Sequence, residues 1–586
     1  MKNPLVSNYF TANPHLEFLV NRMFSWNDDL DTFRLILMAA GEISAREFSA
    51  LLKETGECTL EKVGGYNTVK IPENSERVLR TSRQQGWFGT MFPIEYGGMG
   101  LPQAVNGGIN LLLSEADIGS FITIGLTQGV AETFLRYGSR QLKDKYVRKL
   151  ISDEPGIALT GAMLLTEPNA GSDVGNCKTK AVRHGDVYRI FGEKCFISNP
   201  DADILVVLGK EEGSAQGTAG LSLFAVSKYL DDGSRNAWNV EKLEEKMGIH
   251  SSPTGTVVFS GAEGYLIGGQ GEGFKQMLFL MNRSRLMVGT QAIGVAERAF
   301  LESLSYASKR IQFGKTLDRH PLMQEHLAGM RVNIEAATSL LFKSYGFLDD
   351  LIRESGVNSG RTGRLVRVLI PLTKYRGTEL GREMATRAIM NFGGYGYIRD
   401  YPVERLLRDV LVTSIYEGTN DIQSLDVLRS YAKERTVDSL FEDAASLLRS
   451  VTEPRLKSYA GRVRKFKGDL KSKLLEFASS KSPSATAQSE ARRFTESLIR
   501  LYESALMLEE AQYQIDTNGN FRKAVMAMKY IDDAMPIHGM GRNISIALRA
   551  GLTQLPYFGS YFKSGLPPSV KYFDSIVRHE KLGSLR

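Results

Sequence analysis

The sequence predicts an α+β protein in which helical segments flank a central β domain. Three observations carry that prediction. Apolar residues recur at helical spacing early in the chain: Leu16, Phe18, Leu19, Val20 and Met23, then Leu35, Ile36, Leu37 and Met38. Short runs rich in β-branched and aromatic residues follow, bounded by Gly, Asp and Asn: Val187-Tyr-Arg-Ile-Phe, Ile204-Leu-Val-Val-Leu, Leu221-Ser-Leu-Phe-Ala-Val and Gly255-Thr-Val-Val-Phe. Helical spacing returns from Phe274 to about Gln312, through Leu278, Met281, Arg285, Val288 and Ile293. A chain of 586 residues has room for about three or four domains. The expected division is 1–160 helical, 161–272 β, 273–435 helical, and 436–586 a further helical domain.

Composition narrows the function classes. Hydrophobic residues make up 42% and charged residues 24%, as in a soluble globular protein with a large core. The net charge of +7 is small beside 73 basic and 66 acidic residues, so acidic ligands are weakly favoured and nucleic acid is not expected. Three cysteines, Cys58, Cys177 and Cys195, argue against a disulfide framework and for a reducing, cytoplasmic setting. No CxxC or His/Cys cluster suggests a metal site. The first residues lack a basic region followed by an apolar core, so no secretory signal is expected. No apolar run reaches the ~18 residues of a membrane span.

The connecting segments are read in order. Gln85 to Pro102 is rich in Gly and Pro and makes a compact loop. Ala116 to Tyr137 is an apolar helix whose Thr127-Gln128 faces the core. Leu164-Leu-Thr-Glu-Pro-Asn-Ala-Gly-Ser-Asp173 is a polar loop offering backbone N–H groups and hydroxyls to a ligand; an ordinary surface loop is the alternative. Gly268-Gly-Gln-Gly-Glu-Gly-Phe274 lacks the GxGxxG spacing and a βαβ setting, so it reads as a turn into the next helix. Arg455 to Lys473 carries eight basic residues against Asp469 alone. Peripheral contact with acidic lipid is one reading of it, and a solvated helix face is the expected one. Ser479 to Ser489 reads as a linker. Helices are expected at Ala491–Ile515 and Phe521–Ala534.

Glu417 is the chief candidate for chemistry. It follows the apolar-rich run Val410 to Tyr416 and precedes Gly418, which lets the backbone turn and approach a ligand. A carboxylate against apolar walls has its pKa raised, as a general base needs when the proton is weakly acidic. A solvated helix end is the alternative at this position.

Tyr416-Glu-Gly-Thr-Asn-Asp-Ile-Gln423 resembles the catalytic segment of the acyl-CoA dehydrogenase family. Other segments resemble the same family in the right order, over roughly Phe10 to Glu434. They are the Gln85–Pro102 loop, Thr166 to Asp173, Glu193-Lys-Cys-Phe-Ile-Ser-Asn199, Glu245 to Thr254, Asn282 to Arg285, Arg310 to Gly314 and Gly393-Gly394. The resemblance implies an N-terminal helical domain, a middle β-barrel or sandwich, a C-terminal four-helix bundle, and the extra helical domain of longer members.

It also implies the site. Thr166, Ser172, Phe196, Ser198, Arg310, Phe313, Gly393, Gly394 and Thr419 fall at FAD-contacting positions. Phe196 and Ser198 stand where Trp and Thr are usual, which keeps a flat wall and a hydroxyl but loses the indole N–H. Arg310 matches an arginine that bonds the FAD pyrophosphate of a neighbouring subunit, a task suited to a guanidinium fork. Met390 replaces a usual Gln, so one expected FAD hydrogen bond is missing. Ser172, Asn282, Arg285, Glu417 and Gly418 fall on the acyl-CoA side, and Ser251 and Ser252 near the CoA phosphates.

The implied reaction is FAD-dependent α,β-dehydrogenation of an acyl-CoA to a trans-2-enoyl-CoA. Glu417 takes the α-proton, flavin N5 takes the hydride, and electrons pass to an electron-transfer flavoprotein. Flavin shared across subunits implies a homo-oligomer, with a dimer favoured. An acyl-CoA oxidase using O2 and a nucleic-acid-binding flavoprotein relative are the alternatives, and the intact Glu417 segment favours the dehydrogenase.

Overall fold

The computed structural model describes residues 5–51, 56–354, 360–477 and 484–535. In chain order come α1 (Tyr9–Ala12), α2 (Pro14–Met23), α3 (Leu30–Ile43), α4 (Ser49–Leu51), β1 (Thr59–Val63), β2 (Tyr66–Lys70), α5 (Glu73–Gln84), α6 (Gln103–Ser114), α7 (Ile118–Tyr137) and α8 (Arg140–Ile151). The strands β3 (Gly161–Leu164), β4 (Lys180–His184), β5 (Val187–Ser198), β6 (Ile204–Glu211), β7 (Leu221–Ser227), β8 (Trp238–Leu243) and β9 (Thr254–Ile267) follow. Then come α9 (Gly273–Lys309), α10 (Pro321–Arg353), α11 (Gly360–Phe392), α12 (Val403–Leu411), α13 (Asn420–Glu434), α14 (Thr436–Arg449), α15 (Pro454–Phe477), α16 (Ala485–Ser489), α17 (Ala491–Asn518) and α18 (Arg522–Ala534). Two compact units result. One holds 47–106 and 116–287; the other holds the described residues up to Arg46, 107–115 and those from Val288 on. The division falls within α9.

In the first unit the strands close on themselves. β6 pairs with β4, β4 with β5, β5 with β9, β9 with β7, and β7 returns to β6. Such closure leaves few free edges. β6 is buried on both faces, which is why it reads as an unbroken apolar run rather than an alternating one. Leu205 and Val207 face the interior with Phe224, Trp238 and Val257. Ile204, Val206 and Leu208 pack outward on Val130 and Phe134 of α7 and Val147 and Leu150 of α8.

The early chain is mainly helical, as expected, with an added antiparallel hairpin of β1 and β2 turning at Gly64 and Gly65, both with positive φ. One expectation is corrected here. α7 does have the length and mean hydropathy (1.2) of a membrane-spanning helix, although 78% of that window is buried. Its Gly, Ser and Thr residues interrupt the apolar run without lowering the average much.

The second unit is helical. α10 packs on α11, and α11 on α13. α9 and α11 cross closely: a Cβ on Gly377 would lie 2.6 Å from the Gly289 carbonyl, so no larger side chain fits there. α14, α15 and α17 continue this unit, and α17 packs against α10, α11, α13 and α18. Its interior is charged as well as apolar. Glu335 of α10 accepts from Arg331 (3.1 Å), Arg522 (2.7 Å) and Lys523 (2.8 Å), and its main-chain oxygen meets His15 Nε2 at 2.9 Å. Burial, and then the Lys523 charge, hold the His15 imidazole well below its usual pKa. The expected linker resolves in part into the short helix α16, capped by Ser484; residues 479–483 lie outside the described residues.

Candidate active site

The β unit brings one group of predicted residues together. The Cys195 N–H donates to the Thr166 carbonyl at 2.9 Å, which sets Thr166 beside the end of β5. There the β5–β9 register slips between Lys194 and Ile197. Phe196 sits in that bulge at φ 58 and is 66% exposed, while Ser198 is half-buried. The bulge is what turns a flat aromatic ring outward from an otherwise inward-packed strand.

The loop carrying Thr166 and Ser172 is anchored by a side chain the sequence reading did not single out. Glu167 is 5% exposed and accepts from Lys194 Nζ (2.8 Å), Thr179 Oγ1 (2.7 Å) and the Lys178 N–H (2.6 Å). Burial pushes its carboxyl up, but the Lys194 ammonium and hydrogen bonds from Cys177, Lys194 and Thr179 outweigh burial and hold it at about 2. A signal was present. Lys194 occupies an inward position of a strand, where a lysine calls for a buried partner.

On the acyl-CoA side, Arg285 is 5% exposed and donates to Asn282 Oδ1 at 3.1 Å, so it is not a solvated basic residue. Ser251 and Ser252 are buried, and Ser251 Oγ donates at 2.7 Å to Asp117, the cap of α7. They are pieces of a turn.

In the helical unit, Arg310, Gly393 and Gly394 line one cleft of about 540 Å³ together with Met390, Tyr395 and Ile398. Gly393 has φ 61, and nothing within 4 Å opposes a Cβ at either glycine. Arg310 is exposed, its guanidinium 5.7 Å from the Tyr395 ring centre. Phe313 is 94% exposed at φ 50, and Ile311, Leu322 and Tyr397 are also exposed. An arginine fork beside open glycines suits a pyrophosphate. Exposed Phe196 with the neighbouring Thr166 and Ser198 hydroxyls suits an aromatic ring edged by polar atoms. These donor sets fit FAD.

Glu417 lies in the same unit, on a sharp turn. It has φ 56 and Gly418 has φ 83, two successive residues in the left-handed region. For a non-glycine residue that conformation is costly and persists only where surroundings enforce it. Here they do. Lys374 Nζ, fully buried on α11, donates to the Gly418 carbonyl at 2.9 Å and to Asn420 Oδ1 at 3.1 Å. Gln423 Nε2 donates to the carbonyls of Glu417 (3.2 Å) and Gly418 (3.0 Å). Thr419 Oγ caps α13 by accepting from the Ile422 N–H at 3.3 Å. Tyr416 Oη donates to Gln291 at 3.0 Å. Burial, and then the Glu417 charge, push the Tyr416 phenol up.

Three family models cover most of the described residues: the N-terminal, middle and C-terminal domains of acyl-CoA dehydrogenase, at residues 63–154, 162–262 and 271–432. The 3-methylmercaptopropionyl-CoA dehydrogenase of Ruegeria pomeroyi is 32% identical over 427 residues, covering 67% of this chain and 72% of its own. The chain belongs to the acyl-CoA dehydrogenase family. A Bacillus subtilis acyl-CoA dehydrogenase is 31% identical over 61% of this chain and 89% of its own. Among solved structures, Caenorhabditis elegans ACDH-11 in complex with C11-CoA aligns with TM-score 0.82 and 25% identity, over 90% of this chain and 92% of that one. The Bacillus anthracis acyl-CoA dehydrogenase complexed with FAD shares the fold over 98% of this chain and 94% of its own, with TM-score 0.71 and 23% identity. The family is FAD-dependent, and this member is an oxidoreductase.

Proposed function

We propose that this acyl-CoA dehydrogenase oxidises an acyl-CoA thioester to its trans-2-enoyl-CoA, with Glu417 as the base that removes the α-proton. The observation that carries the reading is the locked turn: Lys374 and Gln423 occupy the carbonyls of Glu417 and Gly418 with three hydrogen bonds. With the Glu417 and Gly418 oxygens held from behind, the two peptides that follow the Glu417 Cα are fixed, and so is the turn that carries its N–H and side chain. The Glu417 N–H then donates to the thioester oxygen and stabilises charge as the α-proton leaves. The carboxylate holds that proton. Thr166, Ser172, Phe196 and Ser198 would hold the FAD ring, Arg310, Gly393 and Gly394 would hold the FAD of a neighbouring subunit, and Phe313 and Thr419 would also contact FAD. Bound FAD supplies the hydride acceptor that no side chain provides. Asn282 and Arg285 serve the CoA.

The exposed Ile311, Phe313, Leu322, Met390 and Tyr397 beside Arg310 support a homodimer in which this surface meets a second copy. An electron-transfer flavoprotein is the proposed electron acceptor. Three free cysteines support a reducing, cytoplasmic setting.

Anaerobic titration of the FAD-loaded protein with a panel of acyl-CoA thioesters tests the reaction, since a substrate bleaches the flavin absorbance. Glu417→Gln keeps FAD and loses turnover by orders of magnitude. Near-wild-type turnover in that variant refutes the assignment. Stoichiometric peroxide in air would point to an oxidase instead.

A further inference from the structure

The helices that follow residue 435 meet the helices holding the Glu417 turn at several points, and one of these contacts is an arginine. Arg492 is the second residue of α17, and its guanidinium touches two other helices at once. Nη2 lies 3.6 Å from Glu379 Oε1, Nη1 3.5 Å from Asp421 Oδ1, and Nε donates to Tyr375 Oη at 3.4 Å. Tyr375 and Glu379 belong to α11, and Asp421 belongs to α13. Those are the helices that hold the turn: Lys374 is the neighbour of Tyr375, and Asn420 the neighbour of Asp421.

The contacts continue inward without a break. Glu379 Oε1 accepts from Asn420 Nδ2 at 2.9 Å. Asn420 Oδ1 accepts from Lys374 Nζ and from Thr378 Oγ1, both at 3.1 Å. Lys374 Nζ donates to the Gly418 carbonyl at 2.9 Å. Tyr375 Oη also donates to Glu496 on α17 at 2.7 Å, a second tie from the same helix.

We propose that Arg492 is a positioning residue for Glu417, and that the C-terminal helical extension thereby takes part in proton removal. The proposal rests on the reading of Glu417 as the base. Arg492 is about half exposed, and exposed ion pairs contribute little to stability. What it contributes is restraint. A planar fork bridging α11 and α13 fixes the spacing of Lys374 and Asn420, and so the placement of the turn. Reaction rates respond to such placement far more steeply than folding does: a 1 Å displacement costs on the order of 100-fold.

The test uses the full-length, FAD-loaded protein carrying Arg492→Ala, Arg492→Lys or no change. Two readouts are taken: the single-turnover rate of flavin bleaching by an acyl-CoA, and hydrogen exchange of the 415–424 backbone without substrate. Arg492→Ala is expected to slow bleaching about tenfold with apparent KM within about twofold, and to speed exchange across 415–424. Arg492→Lys keeps the charge without the fork and is expected to recover part of both. Either readout moving without the other overturns the proposal, as does a rate loss that merely tracks lost FAD. In the Glu417→Gln background, Arg492→Ala is expected to slow nothing further, and a second tenfold loss there means that Arg492 acts elsewhere. Near-wild-type turnover of Glu417→Gln by itself removes the base assignment, whatever Arg492→Ala does.

Discussion

Glu167→Gln tests how the loop of Thr166 and Ser172 is held, and its size follows from the structure. Glutamine keeps the shape of the side chain but removes its charge. Lys194, fully buried, then retains the Leu165 carbonyl at 2.9 Å and loses its counter-ion. Stranding one partner of a buried pair costs about 3–5 kcal/mol. The carboxyl itself gives a second figure. Its fall from 4.5 to about 2 corresponds to roughly 3.5 kcal/mol at about 1.4 kcal/mol per pH unit, and solvent screening lowers this to about 3 kcal/mol. The lower figure is the better guide, because the loop borders solvent.

The sign with pH follows. A depressed carboxyl stabilises the fold fully above about pH 4.5 and loses that contribution as pH falls towards 2. The wild type therefore weakens over that window, and the variant, already weakened, changes less. Thermal unfolding of the variant at pH 7 is expected about 6–12 °C below wild type, taking roughly 2–4 °C per kcal/mol for a unit of this size. Adding Lys194→Met removes the stranded charge and is expected to return about 2 kcal/mol. A single variant melting within about 2 °C of wild type, or a double variant worse than the single, would refute the reasoning.

Two further outcomes are expected. Gly192→Ala forces a side chain onto φ 143, with its Cβ 2.8 Å from Thr179 Cα, and is expected to cost about 2 kcal/mol or more in denaturant unfolding. Arg310→Ala removes an exposed side chain, so the apoprotein should melt as wild type while FAD is retained at least about tenfold more weakly in equilibrium dialysis.

Local pattern made much of this molecule legible before its structure. The strand runs of the β unit fall inside β5, β6, β7 and β9, because β-branched runs between turn residues allow few other readings. α17 and α18 begin at or within one residue of where apolar spacing placed them. The Gly418 break beside Glu417 was visible because glycine after an acid marks a turn. What escaped was long-range. Nothing near Lys374 announces that it meets Gly418, 44 positions away. Ser251 lies 134 positions from Asp117, the acceptor of its hydroxyl, and nothing beside it in the sequence names that partner. The β1–β2 hairpin gave no signal because its strand residues are exposed or half-exposed and carry little apolar alternation.

The cluster around Glu335 has a consequence for how this chain is made. His15 belongs to α2, and Arg522 and Lys523 belong to α18, which is made about 500 residues later. Until those two cations emerge, Glu335 has Arg331 as its nearest strong positive partner. A nascent chain stopped short of α18 therefore holds its earliest parts in waiting, and premature termination there should yield a product that quality-control proteases clear.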